Sequence, residues 1–322
     1  MFGLQRVFGL RKKTADTKGR VGLAFDRDRL AIAIMRADGG QPRLERCELV
    51  TIDPAGGADA VSAAIRAAAL PHLPISVVLR SGDYQFALVE APDVPPVELR
   101  AAMRWRLKEQ LDFPVEEAVI DVFEVPPQNR TGQGKMMYAV AARRSAIDRY
   151  AMALTTTPGF DVVDVPELCL RNLAAALPAA ARGVALLHIG ELNATCILVQ
   201  GRTFYLSRQI VLQPGVGVDA GNANGDAISR PLDAEGIVLE LQRSLDYYER
   251  HFDQPPITRV AITPADARTE KLAADLGRET GFEVSTLNLN QTLTCTHELT
   301  AQTQADCLMA VGAALREERR SL

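Results

Sequence analysis

The sequence has little of what usually marks an enzyme, a membrane protein or a nucleic-acid binder. Its 322 residues include five cysteines (Cys47, Cys169, Cys196, Cys295 and Cys307), with no C-x-x-C pair and no histidine at metal-ligand spacing. A patterned zinc or disulfide framework is thereby excluded, and the scattered thiols suit a reducing, cytosolic compartment. Aromatic residues make up 5% of the chain, so the core has to be built mostly from Leu, Val, Ile and Ala. No apolar run reaches the ~18–20 residues that span a bilayer. The first apolar residues are broken by Arg6 and then by Arg11, Lys12 and Lys13, which does not read as a signal peptide. Positive charge is not in excess: the net charge is −4 and the pI near 5.7. Phosphate neutralisation needs clustered Lys and Arg, so nucleic acid is not expected as a partner.

What is present is a 47% hydrophobic chain long enough for two lobes. Residues 1–20 form a tail with Leu4, Val7 and Phe8 on one helical face and Arg6, Arg11, Lys12, Lys13, Lys18 and Arg20 against a single acid, Asp16. Two readings stand side by side: a basic amphipathic end on an anionic membrane surface, or a solvated tail.

Beyond the tail, "RVGLAF", "LAIAIMR" and "PRLERCELV" read as three strands, followed by an Ala-rich helix and the strand "ISVVLR". The segment from Tyr84 to Gly159 changes rhythm and reads as an inserted α/β subdomain. Its helix, "VPPVELRAAMRWRLKEQLDF", carries Leu99, Met103, Leu107 and Leu111 at four-residue spacing. After "FDVVDV" and "PELCLRNLAAAL", "GVALLHIGELNATCILVQGRTFYLSRQI" repeats the opening three-strand theme. Two β-β-β-α units imply a duplicated architecture with a cleft between lobes. "QPGVGVDAGNANGDAISRP" reads as a Gly/Asn-rich loop. "EGIVLELQRSLDYYERHF" is the strongest helix, with Val238, Leu241, Leu245, Tyr248 and Phe252 on one face.

The phrases "MRWRLKEQLDFPVEEAVIDVFEVP", "PELCLRNLAAAL", "LSRQI", "ELQRSLDYYER" and "VGAALR", in this order, resemble the PilM-like pilus-assembly proteins. Among these the MshI-type proteins of the mannose-sensitive haemagglutinin type IV pilus are the nearest in kind. The resemblance runs from Val21 to Arg316. It implies an α/β, actin-like (duplicated, ribonuclease H-like) two-lobed fold with an inserted small subdomain. The expected division is a tail (1–20), a first lobe (21–83 and 161–181), the insert (84–160), a second lobe (182–300) and a C-terminal helix packed back between the lobes (301–322). The implied place is the cytoplasmic face of the inner membrane. The implied partner is the N-terminal tail of a single-span protein, PilN-like or MshJ-like, with the pilus assembly ATPase as a further contact.

Nucleotide-binding relatives place an aspartate, a glycine and Ser/Thr in the first hairpin turn, where this chain has Ala24, Phe25, Asp26, Arg27 and Asp28. The second hairpin reads His188, Ile189, Gly190, Glu191, Leu192, Asn193, and a third motif, normally a glycine pair, reads Pro264 and Ala265. A phosphate loop needs bare backbone N–H groups and a Mg²⁺ carboxylate, and carboxylates at Asp26 and Asp28 would repel a triphosphate. The expectation is a non-catalytic adaptor with no confident cofactor and no metal, weak ATP binding at most. The competing reading is an actin-like ATP-binding protein or ATPase using the interlobe cleft. For His188 the simplest reading is a strand-end histidine with an ordinary hydrogen-bond partner. Partner binding is assigned to Arg104, Trp105 and Lys108, because aromatic and basic groups concentrate at interfaces, bordering a groove between the insert and the first lobe.

Overall fold

The computed structural model describes residues 19–38, 41–128, 134–155, 157–212, 232 and 234–318. Leu4, Val7, Phe8, Arg11, Lys12 and Lys13 of the basic tail, and residues 213–231 of the Gly/Asn-rich loop, lie outside the described residues.

In chain order, the first lobe opens with β1 (Gly19–Asp26), β2 (Arg29–Asp38), β3 (Gln41–Thr51), α1 (Gly57–Ala67) and β4 (Ile75–Val78). The insert supplies β5 (Tyr84–Glu90), α2 (Leu99–Leu107), β6 (Ala118–Glu124), β7 (Met136–Arg143) and α3 (Arg144–Ala153). Next come β8 (Phe160–Asp164) and α4 (Pro166–Ala176), then β9 (Val184–Ile189), β10 (Asn193–Gln200), β11 (Thr203–Val211) and α5 (Ala234–His251). The chain closes with β12 (Arg259–Thr263), α6 (Ala267–Thr280), β13 (Glu283–Thr286), α7 (Leu289–Thr292), β14 (Thr294–Cys295) and α8 (Ala301–Ala314).

The two large sheets share one plan. The first runs β14-β3-β2-β1-β4-β8 and the second β11-β10-β9-β12-β13. In each, an antiparallel three-strand meander is followed by two parallel strands. Strand β2 shows why the first sheet is buried on both faces. Leu30, Ile32 and Ile34 pack with the α1 and α3 side, while Ala31, Ala33 and Met35 join a core continuous with the second lobe. The two-residue alternation of a strand therefore separates two apolar sets instead of an apolar and a polar one.

Helices α4 and α8 cross between the lobes: α8 lies on β1, β2, β3 and β4, α4 lies on β9 and β10, and the two pack on each other. Glycine makes these close approaches fit. A Cβ on Gly22 would run into the Ala310 carbonyl of α8, and one on Gly312 would meet the Cys169 carbonyl of α4 at 2.5 Å. Asn172 donates to the Gly312 carbonyl at 2.8 Å, fixing the pair from inside.

The three-stranded insert sheet, β5-β7-β6, carries α2 on one face. Its other face docks on the second lobe through a cluster of rings. Phe86 stacks on Tyr138 at 4.7 Å, Tyr138 meets Phe204 of β11 edge-on at 5.2 Å, and the Tyr138 hydroxyl accepts from the Ser207 N–H at 2.9 Å. Four of the aromatic rings, Phe86, Phe123, Tyr138 and Phe204, thus meet at one junction, where large rings contribute much of the buried area.

Three expectations need correction. The insert helix is nine residues long, not twenty. Pro95 and Pro96 hold the preceding chain out of the helical region, and Phe113 before Pro114 is biased the same way. Met103 and Leu107 are buried, while Leu99 and Leu111 are half-buried at its flanks. On α5, Ile237 takes the buried place given to Val238. The chain also re-enters the first lobe before residue 300: β14 pairs parallel with β3 (Thr294 with Arg43, Cys295 with Leu44). A two-residue strand carries too little pattern to be read from sequence.

Candidate functional site

Two regions gather the polar side chains. The first lies where the β1–β2 turn of one lobe meets the β9–β10 turn of the other. Its charges largely answer one another. Arg29 donates to Asp26 at 2.8 Å and reaches Asp306 of α8 at 3.3 Å. Arg27, held at φ 48, pairs across the cleft with Glu191 at 3.6 Å, and its carbonyl accepts from Arg80 at 3.2 Å. Ala24 and Asp28 are half-buried. The Gly190 N–H donates to the Asn193 carbonyl at 2.9 Å, closing the second turn on itself.

The third motif is closed too. Helix α6 begins at the turn containing Pro264, and its first N–H groups are answered internally. Asp266 accepts from the Thr269 N–H at 2.8 Å, and the Thr269 hydroxyl accepts from the Asp266 N–H at 3.0 Å. This reciprocal cap occupies donors that an anion would otherwise find.

His188 stands one residue from the end of β9, with a hydrogen bond to the main chain of Thr263, the residue beside it on β12. Among the described residues its Nδ1 and the Thr263 Oγ1 are buried without a hydrogen-bond partner. Burial pulls the His188 imidazole down to about 4, against the smaller upward effect of the Thr263 main-chain hydrogen bond. It is neutral at physiological pH. Among the described residues, no three His, Cys, Asp or Glu side chains come together to hold a metal ion.

The second region is a cavity of about 410 Å³ between the insert, the first lobe and the second. Residues 121–127 of β6 and the following turn form one wall and residues 162–165 of β8 the other. Both β6 and β8 are edge strands of their sheets. Val140, Leu168 and Phe204 make the interior apolar. One end is charged. Arg316 pairs with Asp164 at 2.9 Å, with exposures of only 13% and 1%. Arg171 of α4 pairs with Glu318 at 2.5 Å and donates to the Arg202 carbonyl at 3.2 Å. Arg202, in the β10–β11 turn, reaches Glu317 at 3.2 Å and Glu318 at 3.8 Å. Asp121, at the β6 wall, has its carboxyl pushed up by burial, opposed by Arg100 at 3.4 Å.

The partner residues expected from sequence stand elsewhere. Trp105 is 77% exposed, with Lys108 Nζ 5.6 Å from its ring centre, and neither lines the cavity. Arg104 donates to the Val115 carbonyl at 3.0 Å within the insert. The charged end of the cavity was not anticipated. The signal available was Arg171 and Asn172 inside the otherwise apolar run "LCLRNLAAA", where a buried polar pair needs a partner.

No protein-family profile and no curated protein matches the chain. Among solved structures, it is similar to the "PilM-PilN type IV pilus biogenesis complex", 19% identical, with a TM-score of 0.65 over 93% of this chain and 98% of the other. The chain has an actin-like fold. Two further structures are similar at lower TM-scores. One is a Bacteroides thetaiotaomicron protein "with actin-like ATPase fold and unknown function" (8% identity, TM-score 0.49, 90% of this chain and 96% of the other). The other is the cytoplasmic domain of EpsL from the type II secretion system of Vibrio cholerae (14%, 0.47, 93% and 95%). In this actin-like chain the first region is the interlobe cleft, and the second is a groove that the insert adds. Among the described residues, no helix is long and apolar enough to cross a membrane.

Proposed function

We propose that the chain is a non-catalytic adaptor of the inner-membrane platform of a type IV pilus, of the MshI kind, or of a related secretion system. It works on the cytoplasmic face, and its groove holds the N-terminal cytoplasmic tail of a PilN-like single-span membrane protein. The observation that carries this reading is the groove itself, an apolar trough between two sheet edges, in a chain of which 93% is similar in fold to a chain of a PilM–PilN complex. Unpaired strand edges take up extended peptides by main-chain hydrogen bonding, with side-chain pockets setting specificity. The pilus assembly ATPase and an anionic membrane surface are further proposed contacts.

The non-catalytic part rests on the cleft. Its turn residues are bulky and charged where a triphosphate needs backbone N–H groups and a metal carboxylate. A two-armed titration tests both parts. Isothermal calorimetry with a synthetic tail peptide of the PilN-like protein encoded in the same genome should show micromolar binding. Fluorescent ATP with Mg²⁺ should show none in that range. Metal-dependent micromolar ATP binding would overturn the adaptor reading in favour of an actin-like ATPase.

A further inference from the structure

The two edge strands that wall the groove cover a main-chain N–H in the same way. On β6 the Val122 N–H donates to the carboxylate of the preceding residue, Asp121, at 3.0 Å. At the end of β8 the Val165 N–H donates to the preceding Asp164, also at 3.0 Å. All four residues line the groove. In an antiparallel edge strand every second residue turns its main-chain groups away from the partner strand. The Val122 bond to a side chain puts Val122 in that outward set on β6, with Ile120 and Glu124. A carboxylate laid over an outward N–H blocks pairing by a passing strand, one of the ways in which sheet edges are protected.

The two guards are held differently. Asp164 is fixed by Arg316 at 2.9 Å in a buried pair, and Val165 already opens α4, its carbonyl accepting from the Cys169 N–H at 3.1 Å. Moving Asp164 would strand a buried charge. Asp121 faces Arg100 at 3.4 Å, and the Arg100 side chain is 45% exposed. Burial pushes the Asp121 carboxyl up, against opposing effects of Arg100 and the Val122 N–H. Its charged form is therefore less well served in place than in water, and swinging outward beside Arg100 relieves that penalty. The β8 edge is closed, whereas the cover on β6 can move.

We infer that the bound tail pairs as an added strand on β6, a main-chain carbonyl of the tail displacing the Asp121 carboxylate from the Val122 N–H, and that Asp121 is the guard that sets the threshold for this pairing. This rests on the groove holding a peptide, as proposed above, and goes further in naming the strand, the donor and the residue that screens it. The exchange replaces a charged acceptor by a neutral one, which is unfavourable by itself. A peptide whose apolar side chains fill the space beside Val140, Leu168 and Phe204 offsets that loss, and an arbitrary extended segment does not.

Calorimetry on the full chain tests it, with the synthetic tail peptide and a series N-methylated at each position in turn. An added strand donates the N–H of every second residue to its neighbour. N-methylation at those positions should weaken binding about tenfold, and at the intervening ones about twofold or less. Asp121→Ala uncovers the Val122 N–H, and the parent peptide should then bind about fivefold more tightly. Asp121→Asn keeps an oxygen over the N–H without the charge, and should give a smaller gain of about twofold. A methylation series without alternation, or a parent affinity that is unchanged or lower in Asp121→Ala, would overturn pairing on β6 while leaving the groove as the peptide site. A parent peptide that binds none of the three proteins would overturn the functional reading, and the strand pairing with it.

Discussion

The cleft and the groove are both lined with charge, but their ion pairs stand in different surroundings. At the cleft, Asp26 pairs with Arg29 and Arg27 with Glu191 on exposed or half-exposed side chains, and Asp266 caps its own helix. At the groove, three acids and three arginines share one network, and its Arg316–Asp164 pair is only 13% and 1% exposed. Among the described residues both regions leave buried polar atoms without hydrogen-bond partners, His188 Nδ1 and Thr263 Oγ1 at the one, Arg171 Nε and Glu318 Oε2 at the other. What separates them is how deeply their charges are buried, and a buried pair has far more to lose when one member goes.

The strongest way to break this contrast is to open the groove's ion network. Arg316→Met removes the cation from Asp164, whose side chain is 1% exposed and among the described residues then keeps the Val165 N–H as its hydrogen-bond partner. Removing one member of a buried pair leaves a stranded charge, at a cost of about 3–5 kcal/mol. Urea unfolding should show the loss. A change below about 1 kcal/mol would mean that the network is dispensable, and that its orphan atoms are tolerated defects.

His188 sharpens the contrast from the cleft side. Its imidazole is held down at about 4, whereas the unfolded chain titrates near 6.5. Between those values the unfolded state binds a proton that the folded state refuses. The residue's contribution is thus fully present above pH ~6.5 and is lost as pH falls toward 4. Between pH 7 and pH 5, wild type should lose more of its urea midpoint than His188→Gln does. Equal losses would show that the ring takes up its proton freely and that the cleft is open to water around it.

How much of this was legible in the sequence depends on the range of the contacts. Helices α5, α6 and α8 and all three strands of each meander follow from local periodicity and caps, such as Asp266 and Gly281 around α6. The duplication showed in the repeated three-strand theme, and the cleft turns could be inspected residue by residue. The groove's charged end could not. Asp164 and Arg171 lie far in the chain from Arg202, Arg316 and Glu318, and meet them only after α4 and α8 have crossed between lobes. Trp105 shows the converse: an exposed aromatic beside arginines stands out in a sequence, but its position outside the lining of the groove could not be read there. The length of α2 was lost to its neighbours, since Pro95, Pro96 and Pro114 act on the chain from outside the helical pattern.

The smallest effect is expected where the two lobes touch at the cleft mouth. Arg27 and Glu191 are 79% and 77% exposed and 3.6 Å apart. An exposed pair of this kind contributes roughly 0–1 kcal/mol, and salt screens it further. Arg27 also sits in the left-handed region, where a side chain is unfavourable and glycine is at ease. The two effects oppose each other, so they can be separated by paired substitutions. Arg27→Ala loses the ion pair and keeps the strained backbone, whereas Arg27→Gly loses the pair and relieves the strain. Arg27→Ala should cost under about 1 kcal/mol, and Arg27→Gly should lie within about 0.5 kcal/mol of wild type, both read from urea midpoints in low salt. Tail-peptide affinity should be unchanged in each, since neither residue lines the groove. A loss of several kcal/mol in either variant would make this contact a clasp between the lobes. The cleft would then be held shut by a single bridge instead of by the packing of α4 and α8.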